Sequence, residues 1–497
     1  MKKIFLFLGV ITLTFNSCSD YLDINYNPNS PAEANLTPSL IFPGAEMNLC
    51  NQYGNFLRIT GGYFAQQYAH NFGTSNYVNY SQWEMSPTRS NRNYSQLSTL
   101  CLKNMEAVRN MATEEEDWGT YLAATVIRAF TYQVLVDSYG EIPYTEALNV
   151  AILSPKYDDG QKIYEGILSE INEALAKASP TSPVCKNLLF GTSTANEWIQ
   201  FANALKLKIL MRMSDAKDVK NELSALISEG NFPKEDVNWG GKDFWQNANG
   251  SANPFFQEEF STSFGSNQVN VIVNIALVGT MQASNDARLE AAFYSNDDDE
   301  YYGGVSGTNF AGSGGSLGSG NWCRPRVVYN TPVFLITLSE IEFFLAEYYA
   351  KYGGGNAEEH YKAAVEASFN TLGVDGAAAV LAAFPWDSNN YKRVIGIQKW
   401  VALGCVNPFE AWCELRRLKF PDFGTITGDH LYNILTYAYT PSVYQPNKLY
   451  MPIERNAYLN ANTVLQRFTY PENSSSRNSN TPEEKPSDCN KPIFWVK

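Results

Sequence analysis

The sequence predicts a mostly α-helical protein in which helical hairpins of the tetratricopeptide type form a scaffold around one long, loop-rich insertion. Apolar residues recur at helical spacing in several long stretches of the chain. Small residues such as Ala123 and Ala346 would let paired helices approach closely. Between residues 234 and 331 this periodicity gives way to Asn, Gly, Ser and aromatic residues. We therefore expect scaffold segments at about 91–233 and 332–420, on either side of an insertion at about 234–331.

The first residues have the form of an export signal. A basic start at Lys2 and Lys3 precedes an apolar run from Ile4 to Phe15. The run is about a dozen residues long, which is shorter than the roughly 20 residues that a membrane-spanning helix needs. We therefore expect a signal peptide over residues 1–17 and no transmembrane helix in the mature chain.

Cys18 directly follows the small residue Ser17 and resembles the lipobox cysteine that bacteria acylate to anchor a lipoprotein. Phe15 and Asn16 depart from the usual lipobox, so a secretory signal with an incidental cysteine remains an alternative. An acidic stretch at 19–23 follows, of the kind that accompanies surface display in similar lipoproteins. We expect a lipid anchor at Cys18 and one folded body over residues 18–497.

Charge and cysteine content exclude several classes of protein. The net charge of −14 and the pI near 4.9 would repel a phosphate backbone, so nucleic acid is not an expected partner. The eight cysteines show no C-x-x-C pair, and their spacing fits neither a zinc ribbon nor a dense disulfide scaffold. We expect most of the cysteines after Cys18 to be buried thiols.

The predicted helical hairpins follow one another along the chain. From Trp118, apolar or small residues keep helical spacing until Gly140, and residues 91–113 show the same pattern before an acidic turn. Three further hairpins are predicted: 161–178 with 194–214, 332–352 with 356–372, and 390–403 with 408–418.

Four motifs spread over almost the whole chain resemble the SusD/RagB-like family of surface nutrient-binding lipoproteins. They are DSYGEIPY at 137–144, SEIEFFLAE at 339–347, QKWVAL at 398–403 with EAW at 410–412 before Arg416 and Arg417, and MPIE at 451–454 with Asn460 and Asn462.

The resemblance implies a SusD-like, tetratricopeptide-like scaffold whose loop-rich insertion forms the ligand face. It also implies a lipid anchor in the outer membrane facing the cell exterior, a SusC-like TonB-dependent transporter as partner, and no cofactor. Members of this family characteristically hold glycans, so an oligosaccharide is the expected ligand. Some relatives handle peptides, and a peptide ligand is therefore an alternative.

The charged residues of these motifs indicate a structural role. Lys399, Arg416 and Arg417 lie on predicted helices beside tryptophans, where buried alkyl stems and ion pairs are the natural use of such residues. Their expected partners are the acidic motif residues Glu340, Glu347 and Glu410.

Few patterns in the sequence favour catalysis. None of the three histidines belongs to H-E-x-x-H or another metal-ligand spacing. The G-x-S-x-G match at 314–318 lies inside a Gly-Ser tract instead of between a strand and a helix. The acidic run at 297–300 lacks the spaced ligands of a calcium loop. We expect no enzyme and no metal, although a surface glycoside hydrolase remains an alternative because 51 acidic residues offer many carboxylate pairs.

Two segments combine flat rings with amide and guanidinium groups, as sugar recognition requires. The resemblance places variable ligand loops in about these regions. We predict that Trp83 and Trp322 stack on the ligand, with packing in the core as the alternative for any one ring. The candidate residues are Tyr77, Asn79, Tyr80, Trp83 and Arg89 in the first segment, and Tyr301, Tyr302, Asn321, Trp322 and Arg324 in the second.

Overall fold

The computed structural model describes residues 36–71, 74, 76–241, 244–260, 269–307, 322–433 and 438–497. The predicted signal peptide, Cys18, Asn321 and the G-x-S-x-G match at 314–318 lie outside these residues. Most of the regular structure in the described ranges is helical, as the sequence predicts. No helix among them combines the length and the hydrophobicity needed to cross a membrane.

A helical run that the sequence analysis did not predict comes before the scaffold. It consists of α1 (Pro38–Asn51), a π-helical turn (Gln52–Leu57) and α2 (Arg58–Phe64). Every residue of α2 is buried, so this helix has no polar face from which a sequence pattern could be recognised. Gly61 brings α2 close to a later helix, because a Cβ here would lie 2.4 Å from the Cα of Phe409.

The first scaffold segment agrees closely with the prediction. Its first arm contains α4 (Asn91–Ser95), a π-helical turn (Gln96–Leu102) and α5 (Lys103–Glu114), and it packs against α6 (Trp118–Tyr139). Every residue of α6 after Trp118 is buried, so α6 is a central helix of the scaffold. The short helix α3 (Val78–Ser81) precedes this hairpin.

The second predicted hairpin is also present. Helices α7 (Gly160–Lys177) and α8 (Asn196–Met213) pack against each other and against α6, and α9 (Lys220–Glu229) packs on α8. The carboxylate of Asp159 caps α7 by accepting a hydrogen bond from the backbone N–H of Gln161 at 2.9 Å.

The second scaffold segment begins differently from the prediction. Residues 332–352 were expected to form one helix, but Val333–Ile336 form strand β6, and α12 (Leu338–Tyr352) starts only after Thr337. All four strand residues are buried and apolar, and a short run of this kind fits a buried strand as well as a helix. The Thr337 hydroxyl caps α12 by accepting from the backbone N–H of Glu340 at 3.1 Å.

Three of the remaining scaffold helices match the predicted hairpins, whereas the short helix at 377–383 was not predicted. Helix α13 packs against α12, and α15 packs against α16. The bounds are α13 (Ala357–Leu372), α14 (Ala377–Ala383), α15 (Tyr391–Val406) and α16 (Pro408–Leu418).

The predicted insertion contains short regular elements that the sequence analysis did not resolve. Strand β2 (Val237–Trp239) pairs with β6, and β3 (Val271–Val273) pairs with β1 (Tyr68–His70). Its other elements are α10 (Ile275–Ala283), α11 (Arg288–Ala292) and the antiparallel pair β4 (Phe293–Tyr294) and β5 (Arg324–Pro325).

The C-terminal part returns over the scaffold. The side chains of Ile493 and Trp495 are buried, and the indole N–H of Trp495 donates to the Asp137 carboxylate on α6 at 2.9 Å. The other elements of this part are β7 (Asp422–Phe423), α17 (Gly428–Leu431), β8 (Tyr432–Asn433), β9 (Ala438–Tyr439), β10 (Lys448–Leu449) and α18 (Glu472–Arg477).

The charged motif residues form a buried network that joins the helices. Arg417 on α16 donates two hydrogen bonds to Glu347 on α12, at 2.5 and 2.6 Å, which confirms one predicted pair. Lys399 pairs with Glu414 at 2.9 Å instead of with a predicted partner. Arg416 donates to the backbone carbonyl of Asp137 at 2.9 Å and has no carboxylate partner among the residues described.

Two further cations on α8 complete this network. Lys208 lies 3.1 Å from Glu340 and 3.3 Å from Glu410, and Arg212 also pairs with Glu410. Burial alone would raise the pKa of Glu410, but Arg212 and Lys208 hold it at about 2. The predicted acidic partners therefore lie inside the scaffold. Two of them, Glu340 and Glu410, form ion pairs with Lys208 or Arg212, which were not predicted as partners.

The seven cysteines in the described ranges form no disulfide. Cys50, Cys101, Cys323, Cys405 and Cys413 are buried, which agrees with the expectation that most are core thiols.

Candidate ligand-binding face

The two tryptophans predicted to stack on a ligand are both buried. Trp83 has no exposed surface, its indole N–H donates to the backbone carbonyl of Tyr63 at 2.9 Å, and its ring packs edge-on against Phe423. Trp322 is 2% exposed and packs edge-on against Tyr439, with 5.1 Å between the ring centroids. Contrary to the prediction, neither ring offers a face to solvent, because residues distant in sequence cover both.

Tyr77 and Tyr80 in the first segment also face inward. Their rings are stacked with centroids 5.6 Å apart, and the Tyr77 hydroxyl donates to Glu259. Burial raises the pKa of the Glu259 carboxyl, which also accepts from the Asn270 side chain at 3.2 Å. These rings therefore belong to the packing between the first segment and the insertion.

Asn79 is half-buried and Arg89 is exposed, so the first segment still presents polar side chains near its surface. Their predicted role in ligand contact stays a prediction.

The second segment presents aromatic rings to solvent. Tyr301 is half-buried and Tyr302 is 36% exposed. The Tyr302 ring lies edge-on to Tyr439 with centroids 6.1 Å apart, and the Tyr439 hydroxyl donates to the backbone carbonyl of Gly303. Buried Trp322 packs against the same Tyr439 ring, so a core tryptophan supports this part of the surface.

Two arginines extend this surface. The guanidinium carbons of Arg324 and Arg326 lie 5.5 and 4.3 Å from the ring centroid of Tyr294, within the range of a cation–π interaction. Both arginines are exposed. We call the set Tyr294, Tyr301, Tyr302, Arg324, Arg326 and Tyr439 the tyrosine–arginine surface.

Short strands hold this surface in place. In the antiparallel pair of β4 and β5, Tyr294 lies directly opposite Arg324. The backbone N–H of Cys323 donates to the carbonyl of Tyr302 at 2.9 Å, which fixes Tyr302 beside the start of β5. The rings and guanidinium groups are therefore attached to hydrogen-bonded backbone, which reduces the entropy lost when a ligand binds.

Three members of this surface were not predicted. Arg326 lies two residues after Arg324, and side chains two residues apart point to the same side of an extended chain. This spacing could therefore have predicted Arg326 as a member of the surface. Tyr294 and Tyr439 come from other parts of the chain, and no local pattern marks them as partners of Tyr302.

The chain between Gly303 and Gly307 connects the two predicted segments. It leads from Tyr302 to Gly307, whose backbone N–H donates to the hydroxyl of Ser81 in the first segment at 2.9 Å. Gly307 has a φ of +81°, and a Cβ there would lie 2.3 Å from the carbonyl oxygen of Glu454. The segments thus approach one another through the hydrogen bond between Gly307 and Ser81, while their predicted rings occupy separate clusters.

The pKa values of Tyr301, Tyr302 and Tyr439 are raised, so these three tyrosines remain neutral at physiological pH. A hydrogen bond to Glu300 raises the pKa of Tyr302, and partial burial raises that of Tyr301. The surface can therefore offer ring faces, phenolic hydroxyls and permanently charged guanidinium groups to a ligand.

The acidic run at 297–300 forms a turn. The Asn296 side-chain oxygen accepts from the backbone N–H groups of Asp298 and Glu300, at 3.0 and 2.7 Å. Within the described ranges, no three His, Cys, Asp or Glu side chains are grouped so that they could hold a metal ion.

This chain combines a scaffold of helical hairpins with a ring-lined, loop-rich surface. It therefore has the architecture of helical-repeat proteins that are suited to ligand binding. A family model described as "Starch-binding associating with outer membrane" matches residues 28–436, which is most of the chain. The chain therefore belongs to the SusD-like family, as its motifs predict.

Solved structures show the same fold. A SusD homologue from Bacteroides uniformis is 18% identical, with a TM-score of 0.70 over 91% of this chain and 98% of its own. A chitin-binding SusD homologue from Flavobacterium johnsoniae is 18% identical, with a TM-score of 0.68 over 93% of this chain and 96% of its own. A SusD-like protein from Bacteroides thetaiotaomicron is 19% identical, with a TM-score of 0.65 over 88% and 93% of the two chains. No curated protein sequence matches the chain.

Proposed function

We propose that this chain is a cell-surface lipoprotein of the outer membrane that binds oligosaccharides and delivers them to a SusC-like TonB-dependent transporter. The tyrosine–arginine surface carries the proposal. It sets an exposed ring, Tyr302, close to polar groups that can bind sugar hydroxyls, and it lies on the fold of a family described as starch-binding. The relative from Flavobacterium johnsoniae is a chitin-binding protein, which also supports a glycan ligand.

Within this surface we propose direct ligand contacts for Tyr301, Tyr302 and Arg324 from the sequence prediction, and for Arg326 from the structure. An apolar pyranose face would stack on Tyr302, and the guanidinium groups would donate to its hydroxyls. Asn321 precedes buried Trp322 in the sequence and remains part of the proposed site.

We propose binding without cleavage. The family model and the Flavobacterium johnsoniae relative are both described by binding, and this description supports the proposal. Carboxylates such as Glu300 lie beside Tyr302, so the absence of cleavage needs a direct test. Reducing ends should therefore not accumulate when purified protein is incubated with an oligosaccharide that it binds.

The proposed site is tested by calorimetric titration with purified trisaccharides and hexasaccharides, including the α-1,4-glucan and chitin series. Removing a ring at a binding hot spot costs about 2 kcal/mol, so Tyr302→Ala should weaken binding of the best ligand about thirtyfold. Tyr302→Phe keeps the ring and should retain most of the affinity. Leu100→Ala serves as the control, because Leu100 is similarly exposed, at 38%, but lies on the first scaffold hairpin.

An unchanged affinity and an unchanged number of bound equivalents in both Tyr302→Ala and Arg324→Ala would show that the proposed surface is not a ligand site. Failure of the wild type to bind any oligosaccharide, together with binding of peptides, would favour a peptide ligand on the same scaffold.

A further inference from the structure

A second aromatic ring is exposed elsewhere on the molecule. Among the described Phe, Tyr and Trp residues, Tyr302 and Tyr458 are the ones that are at least 36% exposed, at 36% and 58%. Tyr458 lies in a groove of about 540 Å³ that is lined by residues from 84–87, 455–458, 465–469 and 484–489. We call it the Tyr458 groove. We infer that it is a second saccharide-binding site, an inference that rests on the proposed function.

The loop that carries Tyr458 is held firmly. The backbone N–H of Tyr458 donates to the Asn456 side chain at 3.0 Å, and the Asn490 side chain donates to the Tyr458 carbonyl at 2.8 Å. The backbone N–H of Asn456 donates to the carbonyl of Gln82 at 2.8 Å, and the Gln82 side chain donates to Glu454 at 2.9 Å. The backbone that carries the exposed ring is thus fixed before any ligand arrives, which lowers part of the entropic cost of stacking.

Polar groups without an ion-pair partner surround this ring. Arg455 and Lys485 line the groove, and neither forms a salt bridge with a residue that the structure describes. The carboxylate of Glu84 also lines the groove and has no cationic partner within the described ranges. These groups can donate to and accept from ligand hydroxyls without first breaking an ion pair.

The charge balance of the groove favours a neutral ligand. Glu484 already pairs with Arg467 at 3.0 Å, and Asp488 pairs with Lys491 at 3.0 Å. Because these two carboxylates are paired, the remaining charges are those of Arg455, Lys485 and Glu84. The net charge of these three groups is small. A concave site with one exposed ring and mixed donors and acceptors matches the apolar face and hydroxyl groups of a neutral sugar.

Two short stretches of chain, joined by one backbone hydrogen bond, connect the groove to the tyrosine–arginine surface. Gly307, five residues after Tyr302, accepts a hydrogen bond at 2.9 Å from the backbone N–H of Glu454, and Tyr458 follows four residues later. At about 3.3–3.6 Å per residue, the Cα atoms of Tyr302 and Tyr458 lie within about 40 Å of one another. The two sites therefore belong to one connected part of the molecule, each with its own ring.

Calorimetric titration with the trisaccharide that binds most tightly tests this inference. The wild type should bind two equivalents, Tyr458→Ala and Tyr302→Ala should each bind one, and the double variant should bind none. At the affected site, loss of the ring should weaken binding about thirtyfold. Tyr458→Phe keeps the ring and should bind two equivalents. Because Tyr458 is exposed, its replacement should leave the melting temperature unchanged, which separates ligand contact from folding.

Two results would overturn the second site. If Tyr458→Ala still binds as many equivalents as the wild type, with unchanged affinity, the groove is not a saccharide site and the proposed function stands. If neither trisaccharides nor hexasaccharides bind the wild type, the proposed function fails and the second site fails with it.

Discussion

At the scale of single residues, exposure separates aromatic side chains that stabilise the fold from those available to a ligand. Tyr302 buries part of its ring against Tyr439 and leaves 36% of its surface in solvent. Trp83 leaves none, and its indole N–H is used in a hydrogen bond to the backbone of Tyr63. Burial of apolar area stabilises the folded state. Replacement of Trp83 should therefore lower stability without changing affinity, whereas replacement of Tyr302 should chiefly lower affinity.

Trp83→Ala should destabilise the protein by about 3–5 kcal/mol, because it removes a buried indole and leaves a cavity. Its loss also leaves the Tyr63 carbonyl without the indole donor that it has in the wild type. Urea unfolding measures the change, and Tyr302→Ala serves as the control that should lose much less stability, because Tyr302 is partly exposed.

Oligosaccharide affinity per folded molecule should remain that of the wild type in Trp83→Ala. A variant with unchanged stability and weakened binding would show instead that the Trp83 ring reaches the ligand, as the sequence predicted.

The sequence could identify which segments carry rings, but not which rings are covered. Tyr301, Tyr302 and Arg324 were predicted as surface candidates from composition, and all three are at least partly exposed. Trp322 has the same composition around it and is buried, because Tyr439 comes from a part of the chain more than 100 residues away. Burial of this kind depends on tertiary contacts that local patterns do not contain.

At the scale of secondary-structure elements, buried ion pairs join the helices of the scaffold. Arg417 on α16 reaches Glu347 on α12 with two hydrogen bonds, and it also donates to Glu414 at 2.7 Å. Glu414 in turn pairs with Lys399 on α15. Because Arg417 and Glu347 are nearly without solvent contact, removal of one partner leaves a charge that water cannot compensate.

Arg417→Met should therefore destabilise the protein by about 3–5 kcal/mol, the usual cost of breaking a buried pair. The double variant Arg417→Met with Glu347→Leu should lose less, because it removes the stranded carboxylate and replaces both groups by apolar ones. Glu414 keeps Lys399 and Arg212 as partners in both variants. Urea unfolding of the wild type, the two single variants and the double variant gives the coupling free energy.

A double variant as unstable as the sum of the single variants would show that Arg417 and Glu347 do not act as a pair. The Lys177→Met and Glu173→Leu pair provides a matched control, because that ion pair lies on the exposed side of α7 and should contribute less than about 1 kcal/mol.

Helices with one polar face were predictable from the sequence, and buried elements were less so. Residues 161–178 and 408–418 were predicted within one residue of α7 and α16. The buried run 333–336 was assigned to a helix because apolar periodicity cannot distinguish a short strand from a helical turn. Helix α2 was not predicted at all, because all of its residues are buried and it has no amphipathic pattern.

At the scale of the whole molecule, the acidic charge must be compatible with the proposed ligand. A net charge of −14 would repel an anionic polysaccharide over long distances and gives no attraction to a neutral one. Binding of a neutral sugar then depends on contacts at short range, where the rings and guanidinium groups of the tyrosine–arginine surface act. Under the proposed function, a fixed position near the transporter would take the place of electrostatic attraction in collecting the ligand.

That position depends on the proposed lipid anchor. The basic start, the short apolar run and the small residue before Cys18 predict acylation of its thiol, and two or more acyl chains give stable attachment to a membrane. Cys18→Ala should therefore move the protein from the membrane fraction to the soluble fraction and abolish incorporation of labelled palmitate. Cys185→Ala is the matched control, because Cys185 is a half-buried thiol within the fold and should not affect fractionation.

The released Cys18→Ala protein should bind oligosaccharides with the affinity of the wild type, because the anchor precedes the folded body. Growth of the host on an oligosaccharide that the protein binds should nevertheless slow, since delivery requires contact with the transporter in the membrane. Co-purification from a mild detergent extract measures that contact for the anchored wild type. Wild-type protein that carries no labelled palmitate, and a variant that stays in the membrane fraction, would contradict the anchor, whereas recovery of free anchored protein alone would contradict the transporter complex.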